Sequence, residues 1–81
     1  MNIRKSYTVK SGFKSTELLT IYHGLDEAKA LDVFMWEVGL LKNFGSKNTA
    51  AVLYSTELEV SNPRTVQMRE FDMSLWSLVE E

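Results

Sequence analysis

The residues best suited to acid–base chemistry lie around the single histidine, His23, which is followed closely by Asp26 and Glu27. A histidine beside a carboxylate can act as a general base. Adjacent acids in the first turn of a helix diverge around its axis, so this group does not converge on a substrate or a metal ion. We therefore interpret His23 as a polar residue that closes a strand, and both acids as helix-start residues.

A second pair of carboxylates, Glu57 and Glu59, shares one face of an expected strand. Glycosidase-type chemistry needs two carboxyl groups that flank a cleft in different environments. Cross-strand ion pairs with Arg64 and Arg69 are a simpler role for these acids. The chain also has no cysteine, no nucleophile elbow and no glycine-rich phosphate loop, so we expect a protein that is not an enzyme and uses no cofactor or metal.

Basic residues are concentrated near the N-terminus, although the net charge of the chain is −2. Lysines on a first strand can protect the edge of a sheet from pairing with other chains, and we favour this interpretation. Basic side chains interleaved with aromatic ones are also typical of surfaces that bind single-stranded nucleic acid. A nucleic-acid-binding domain is therefore the second hypothesis, and its contact residues would be Arg4, Lys5, Tyr7, Lys10 and Lys14.

The elements that must position these residues follow the order ββαββα. Alternating apolar and polar residues predict a β-hairpin from residues 2–10 and 16–23, with a turn at Ser11-Gly12. Residues 50–60 and 64–71 predict a second hairpin, turned at Pro63, and Asp72 caps a short helix over 73–79. We expect one α+β domain over residues 1–81, with a four-stranded antiparallel sheet and one long helix across one face.

The long helix has clear start and stop signals. Gly24 is the expected N-cap, and Gly45 follows the last turn. Gly39 either ends the helix early or lets it approach the sheet closely. The predicted core stripe follows helical spacing and consists of Ala28, Leu31, Phe34, Met35, Val38 and Leu41.

The far side of this helix is unexpectedly apolar. Val33, Trp36 and Leu40 lie about 120–180° from the middle of the predicted core stripe, and Phe44 extends the patch. One explanation is that the C-terminal segment, through Leu75, Trp76 and Val79, covers this surface. The other is a partner-binding surface, in which tryptophan is enriched. Because two tryptophans are difficult to bury in so small a domain, we expect part of the patch to stay exposed.

The run Ile21-Tyr22-His23-Gly24-Leu25-Asp26-Glu27-Ala28, followed by Leu31, Trp36 and a new strand, resembles small phage proteins. It is similar to phage-encoded inhibitors of bacterial RNA polymerase. The small size, acidic composition and expected sheet-and-helix architecture also resemble those of anti-CRISPR and other anti-defence proteins. The resemblance covers residues 18–60. It implies a cytoplasmic protein that blocks a host or defence protein, or a nucleic-acid-binding complex, by stoichiometric binding.

These observations together predict a protein-contact surface and no membrane segment. The expected contact residues combine the apolar patch with acids that could occupy a positively charged groove: Val33, Trp36, Leu40, Asp32, Glu37, Glu57 and Glu59. The same patch could join two copies of the chain in a homodimer. Because lysines are expected on the edge strand, we place that contact on the helices rather than on the strands.

Overall fold

The computed structural model describes residues 4–79, with side chains as far as Trp76. Its elements are β1 (Lys5–Phe13), β2 (Leu19–Gly24), α1 (Glu27–Phe44), β3 (Thr49–Glu57), β4 (Thr65–Asp72) and α2 (Met73–Val79). The strands form one antiparallel sheet in the order β2-β1-β3-β4, and α1 lies across one face. The predicted α+β fold is confirmed. Asn2 and Ile3 of the predicted hairpin, and the Val79 side chain, lie outside the described residues.

The hydrophobic core lies between α1 and the two central strands. Val9 on β1 is opposite Leu53 on β3, and both side chains are completely buried. Met73 at the start of α2 closes one end of the core. The helix contributes four buried side chains to this core: Ala30, Phe34, Val38 and Leu41.

The buried stripe of α1 is rotated by about 50° from the predicted one, at 100° per residue. Ala28 and Met35, which were expected in the core, are exposed, while Ala30 is completely buried. Ala30 belongs to the buried core cluster, whereas Met35 is 56% exposed at the margin of the helix. Those two assignments from the sequence were therefore wrong.

Both ends of α1 differ in detail from the expectation. The N-cap is Asp26, whose Oδ1 accepts the amide of Lys29 at 3.2 Å, because Gly24 still belongs to β2 and pairs with Tyr7. Gly45 does follow the last helical residue, as predicted, but in an extended conformation. A Cβ atom at Gly45 would lie 2.7 Å from the Leu41 carbonyl oxygen, so close approach is the reason for glycine here.

The two hairpin turns also shift along the chain. β1 continues through the predicted Ser11-Gly12 turn as far as Phe13, because Gly12 pairs with Ala50 of β3 and adopts a positive φ of 147° within the strand. β3 ends at Glu57, three residues earlier than expected. Glu59 then adopts a left-handed φ of 61°, which directs the chain away from the sheet.

Gly39 neither ends α1 nor approaches the sheet. It lies in the middle of the helix, and a Cβ atom there would meet nothing within 4 Å. Within residues 4–79, neither helix has the length and apolar character required to cross a bilayer.

We predict that Gly39→Ala stabilises the protein by about 0.5–1 kcal/mol, because alanine restricts the unfolded chain and favours a helix interior. Urea unfolding of the two proteins measures this difference. The matched variant Gly45→Ala should instead lower the stability, because its Cβ atom would collide with the Leu41 carbonyl oxygen. A loss of stability in Gly39→Ala would contradict the geometry described for α1.

Candidate protein-contact surface

Three apolar side chains form an exposed patch on α1, which we call the helix patch: Trp36, Leu40 and Phe44. Trp36 is 71% exposed and Phe44 is 84% exposed. They recur at intervals of four residues, so they follow one another along a single side of the helix. Large apolar side chains this exposed are unusual when they are contiguous, and contiguous apolar patches often mark interaction sites.

Val33, which was expected in the same patch, is half-buried and packs against the core. The rotation of α1 explains the difference, since it moves Val33 from the outer side of the helix to the margin of the buried stripe. The same rotation leaves Trp36 pointing almost directly away from the sheet. The patch predicted from the sequence is thus retained, with its centre displaced from Val33 toward Phe44.

The second helix does not cover Trp36. In α2, Trp76 packs against Phe71 of β4, with ring centroids 6.3 Å apart. The Lys42 ammonium lies 5.6 Å from the centroids of both rings, so α2 docks on the Lys42 side of α1. The helix patch is on the other side. Trp76 thus packs against the core cluster, while Trp36 remains exposed, in agreement with the expectation that part of the patch is not covered.

The two acids nominated on α1 have different surroundings. Asp32 is exposed and lies one turn before Trp36 on the outer side of the helix. Glu37 is half-buried, and its Oε2 accepts a hydrogen bond of 2.7 Å from the hydroxyl of Ser11 on β1. Asp32 is therefore available to a partner next to Trp36, whereas Glu37 ties the helix to the sheet.

The two acids nominated near the end of β3 are both paired with arginines. Glu59 Oε1 accepts from Arg4 Nη1 at 2.8 Å, and Glu57 lies 3.8 Å from the guanidinium of Arg64. The expected cross-strand pair between Glu57 and Arg64 is confirmed, but Arg69 pairs in register with Leu53 and makes no ion pair within residues 4–79. These pairs offset much of the negative charge at this end of the sheet.

The interpretation of the N-terminal lysines as edge protection is wrong. β1 hydrogen-bonds to β2 on one side and to β3 on the other, so it is an interior strand. The basic residues also point to different surfaces. Lys5 shares the helix face of the sheet with Tyr7, whereas Lys10 lies on the opposite face and Lys14 bonds to Asp72. The five residues of the nucleic-acid hypothesis are not brought together.

Tyr7 belongs to the margin of the core. Its half-buried ring packs against the core cluster. Burial raises the pKa of the Tyr7 phenol, and the carboxylate of Glu27 raises it further. Because the Tyr7 ring packs against the core, its face is not available for stacking with nucleic-acid bases.

The face of the sheet opposite α1 carries polar side chains of which only Lys10 was expected from the sequence to take part in a contact. A shallow groove of about 310 Å³ is lined by Thr8, Lys10, Tyr54, Thr56 and Thr65. The hydroxyls of Thr56 and Thr65 are 2.9 Å apart, and Thr8 Oγ1 is 2.9 Å from Nδ1 of His23. The alternation of side chains along β3 could have predicted this face, if Ala51 and Leu53 had been recognised as the residues that point to the core.

His23 therefore contacts a threonine, and Asp26 serves as the helix cap, so the general-base arrangement considered for the two does not form. Among the described residues, no three side chains of the types that bind metals are grouped closely enough to hold an ion.

No protein-family model matches this chain, and comparisons with curated proteins and with solved structures find no significant similarity.

Asp72 accepts three hydrogen bonds at the start of α2, from Lys14 Nζ and from the amide and hydroxyl of Ser74. Its Oδ1 accepts from Lys14 Nζ at 2.7 Å and from the Ser74 amide at 2.9 Å, which confirms the predicted cap. The hydrogen bond from Lys14, together with those from Ser74, lowers the pKa of Asp72. This carboxylate thus stabilises the fold in its charged form.

We predict that Asp72→Asn destabilises the protein at pH 7 and that the difference from the original protein shrinks as the pH falls below about 4. The sign follows from the lowered pKa, because this stabilisation is present above the pKa of the unfolded chain and is lost as Asp72 becomes protonated. Urea unfolding across this pH range measures the difference, and Asp72→Ala should be worse because it also removes the acceptor for the Ser74 amide. A difference independent of pH would contradict the assignment.

Proposed function

We propose that this protein is a non-catalytic binding module whose contact with another protein is centred on Trp36. The supporting observation is the 71% exposure of Trp36 on a well-packed helix, with Leu40 and Phe44 beside it. Tryptophan is among the residues that contribute most binding free energy at protein interfaces. Its position on a rigid helix means that little conformational entropy is lost on binding.

The surroundings of Trp36 suit a protein partner. Asp32 adds a carboxylate at the margin of the patch, where a basic residue of a partner could pair with it and guide association. Glu37 fixes the position of the helix through Ser11 rather than contributing a free charge. The contact would thus have an apolar centre and a polar rim, as interfaces commonly do.

The resemblance of residues 18–60 to phage inhibitors suggests the class of partner. We propose a bacterial host or defence protein, free or within a nucleic-acid complex, which is blocked by stoichiometric binding in the cytoplasm. The paired state of Glu57 and Glu59 makes them weaker candidates for mimicry of nucleic acid than Asp32. Direct nucleic-acid binding ranks below protein binding because the basic side chains point to different surfaces.

The test is affinity capture from a bacterial lysate with mass spectrometry, with and without nuclease, using the original protein and Trp36→Glu. Leu75→Glu is the matched control, since it places the same charge at an exposed apolar position on α2. We expect a protein that is retained after nuclease treatment and by the control variant, and lost with Trp36→Glu. With the purified partner, Trp36→Glu should weaken binding by about 30-fold or more, as for a residue worth about 2 kcal/mol.

Two results would contradict this proposal. One is a partner set that Trp36→Glu recovers as well as the original protein does. The other is a complex that disappears with nuclease and with Lys10→Glu, which would support nucleic-acid binding through the face opposite α1 instead. Circular dichroism must show that Trp36→Glu remains folded, as expected for a substitution at an exposed position.

A further inference from the structure

One edge strand of the sheet, β2, lacks the charged residues and proline that commonly discourage strand pairing. β2 hydrogen-bonds only to β1 within residues 4–79, so its outer backbone groups are unpaired. Its sequence, Leu19–Gly24, contains no Asp, Glu, Lys, Arg or Pro. The opposite edge strand, β4, carries Arg69, Glu70 and Asp72. Natural proteins place charges, proline or β-bulges on edge strands to prevent such pairing. β2 lacks the first two, and its one irregularity is the register shift between Tyr22 and Thr20 in its pairing with β1.

We propose that β2 pairs antiparallel with β2 of a second copy of this chain, which joins two four-stranded sheets into one of eight strands. A β-strand can pair antiparallel with the same strand of a second copy about a two-fold axis, so both partners use the same surface. The nearest charged residues along the chain, Glu17 and Asp26, lie beyond the strand ends, where solvent screens them. This contact would share Leu40 and Phe44 with the helix patch, but it does not rest on the partner contact proposed at Trp36.

Exposed apolar side chains on β2 would add buried surface area to the dimer interface beyond that of strand pairing alone. Leu19 is 70% exposed, and it pairs in register with Ser11, whose side chain points to α1, so Leu19 lies on the helix face of the sheet. Ile21 is also exposed on the same strand. A stable interface buries about 800 Å² on each partner. The pairing of six strand residues alone would bury less than that, so the apolar side chains are needed.

The helix contributes to the same side of the molecule. Glu37 bonds to β1, whereas Lys42 lies over the ring of Phe71 on β4, so the Glu37 side of α1 is the side toward β2. Helical spacing places Leu40 and Phe44 on that side. In the joined sheet both α1 helices would lie on the same face, with the two Leu19 side chains between them. Each Trp36 would still point away from the sheet.

The test is the mass in solution, measured by sedimentation equilibrium from low to high micromolar concentration. Ile21→Lys places a charge on β2, and Val66→Lys is its matched control on the other edge strand. The two positions are 43% and 45% exposed, so neither change should disturb the core. We expect the original protein, Val66→Lys and Trp36→Glu to dimerise, and Ile21→Lys to do so at least tenfold more weakly.

Hydrogen exchange of the original protein gives a second readout that needs no variant. In the monomer only the β2 amides that face β1 are protected, whereas in the dimer the outward amides should also be protected as the concentration rises. A protein that stays monomeric at high micromolar concentration would overturn the proposal. So would an unaffected Ile21→Lys dimer, or a dimer lost in Val66→Lys or Trp36→Glu, which would place the contact elsewhere.

Discussion

The structure depends on one packing interaction, between the buried side of α1 and the two central strands. An 18-residue helix can bury only one side against a sheet, and here that side is the one with Ala30 and Phe34. The other helix, α2, has seven residues and packs beside β4. Nothing in residues 4–79 is therefore available to cover the outer side of α1, and Trp36 is exposed as a consequence.

Several polar residues reinforce this arrangement. Ser11 and Glu37 join the helix to the sheet, and Lys14 joins the first hairpin to Asp72 at the start of α2. The face of the sheet opposite α1 carries threonines and a lysine around an open groove. This face is more polar than the one packed on α1, although Val52 is buried on it beside Lys10. This arrangement underlies our proposal of a binding module.

Much of the fold could be predicted from the sequence because strand and helix periods are local properties. The element order, the cap at Asp72 and the exposure of one tryptophan all followed from such patterns. What could not be predicted depends on contacts between distant segments. The interior position of β1 depends on pairing with β3, and the rotation of α1 depends on which residues, such as Ala30, pack against the sheet. The incorrect edge assignment of the lysines and the incorrect core assignment of Met35 both arose in this way.

Fluorescence quenching by acrylamide measures whether the outer side of α1 is open to solvent at Trp36, on which the proposed contact depends. In Trp76→Phe the emission comes from Trp36 alone, and in Trp36→Phe it comes from Trp76, which is half-buried beside Phe71. The structure predicts that Trp36 is quenched nearly as efficiently as free tryptophan and that Trp76 is quenched much less. Equal protection of the two side chains would contradict the account, because it would mean that another part of the protein covers Trp36.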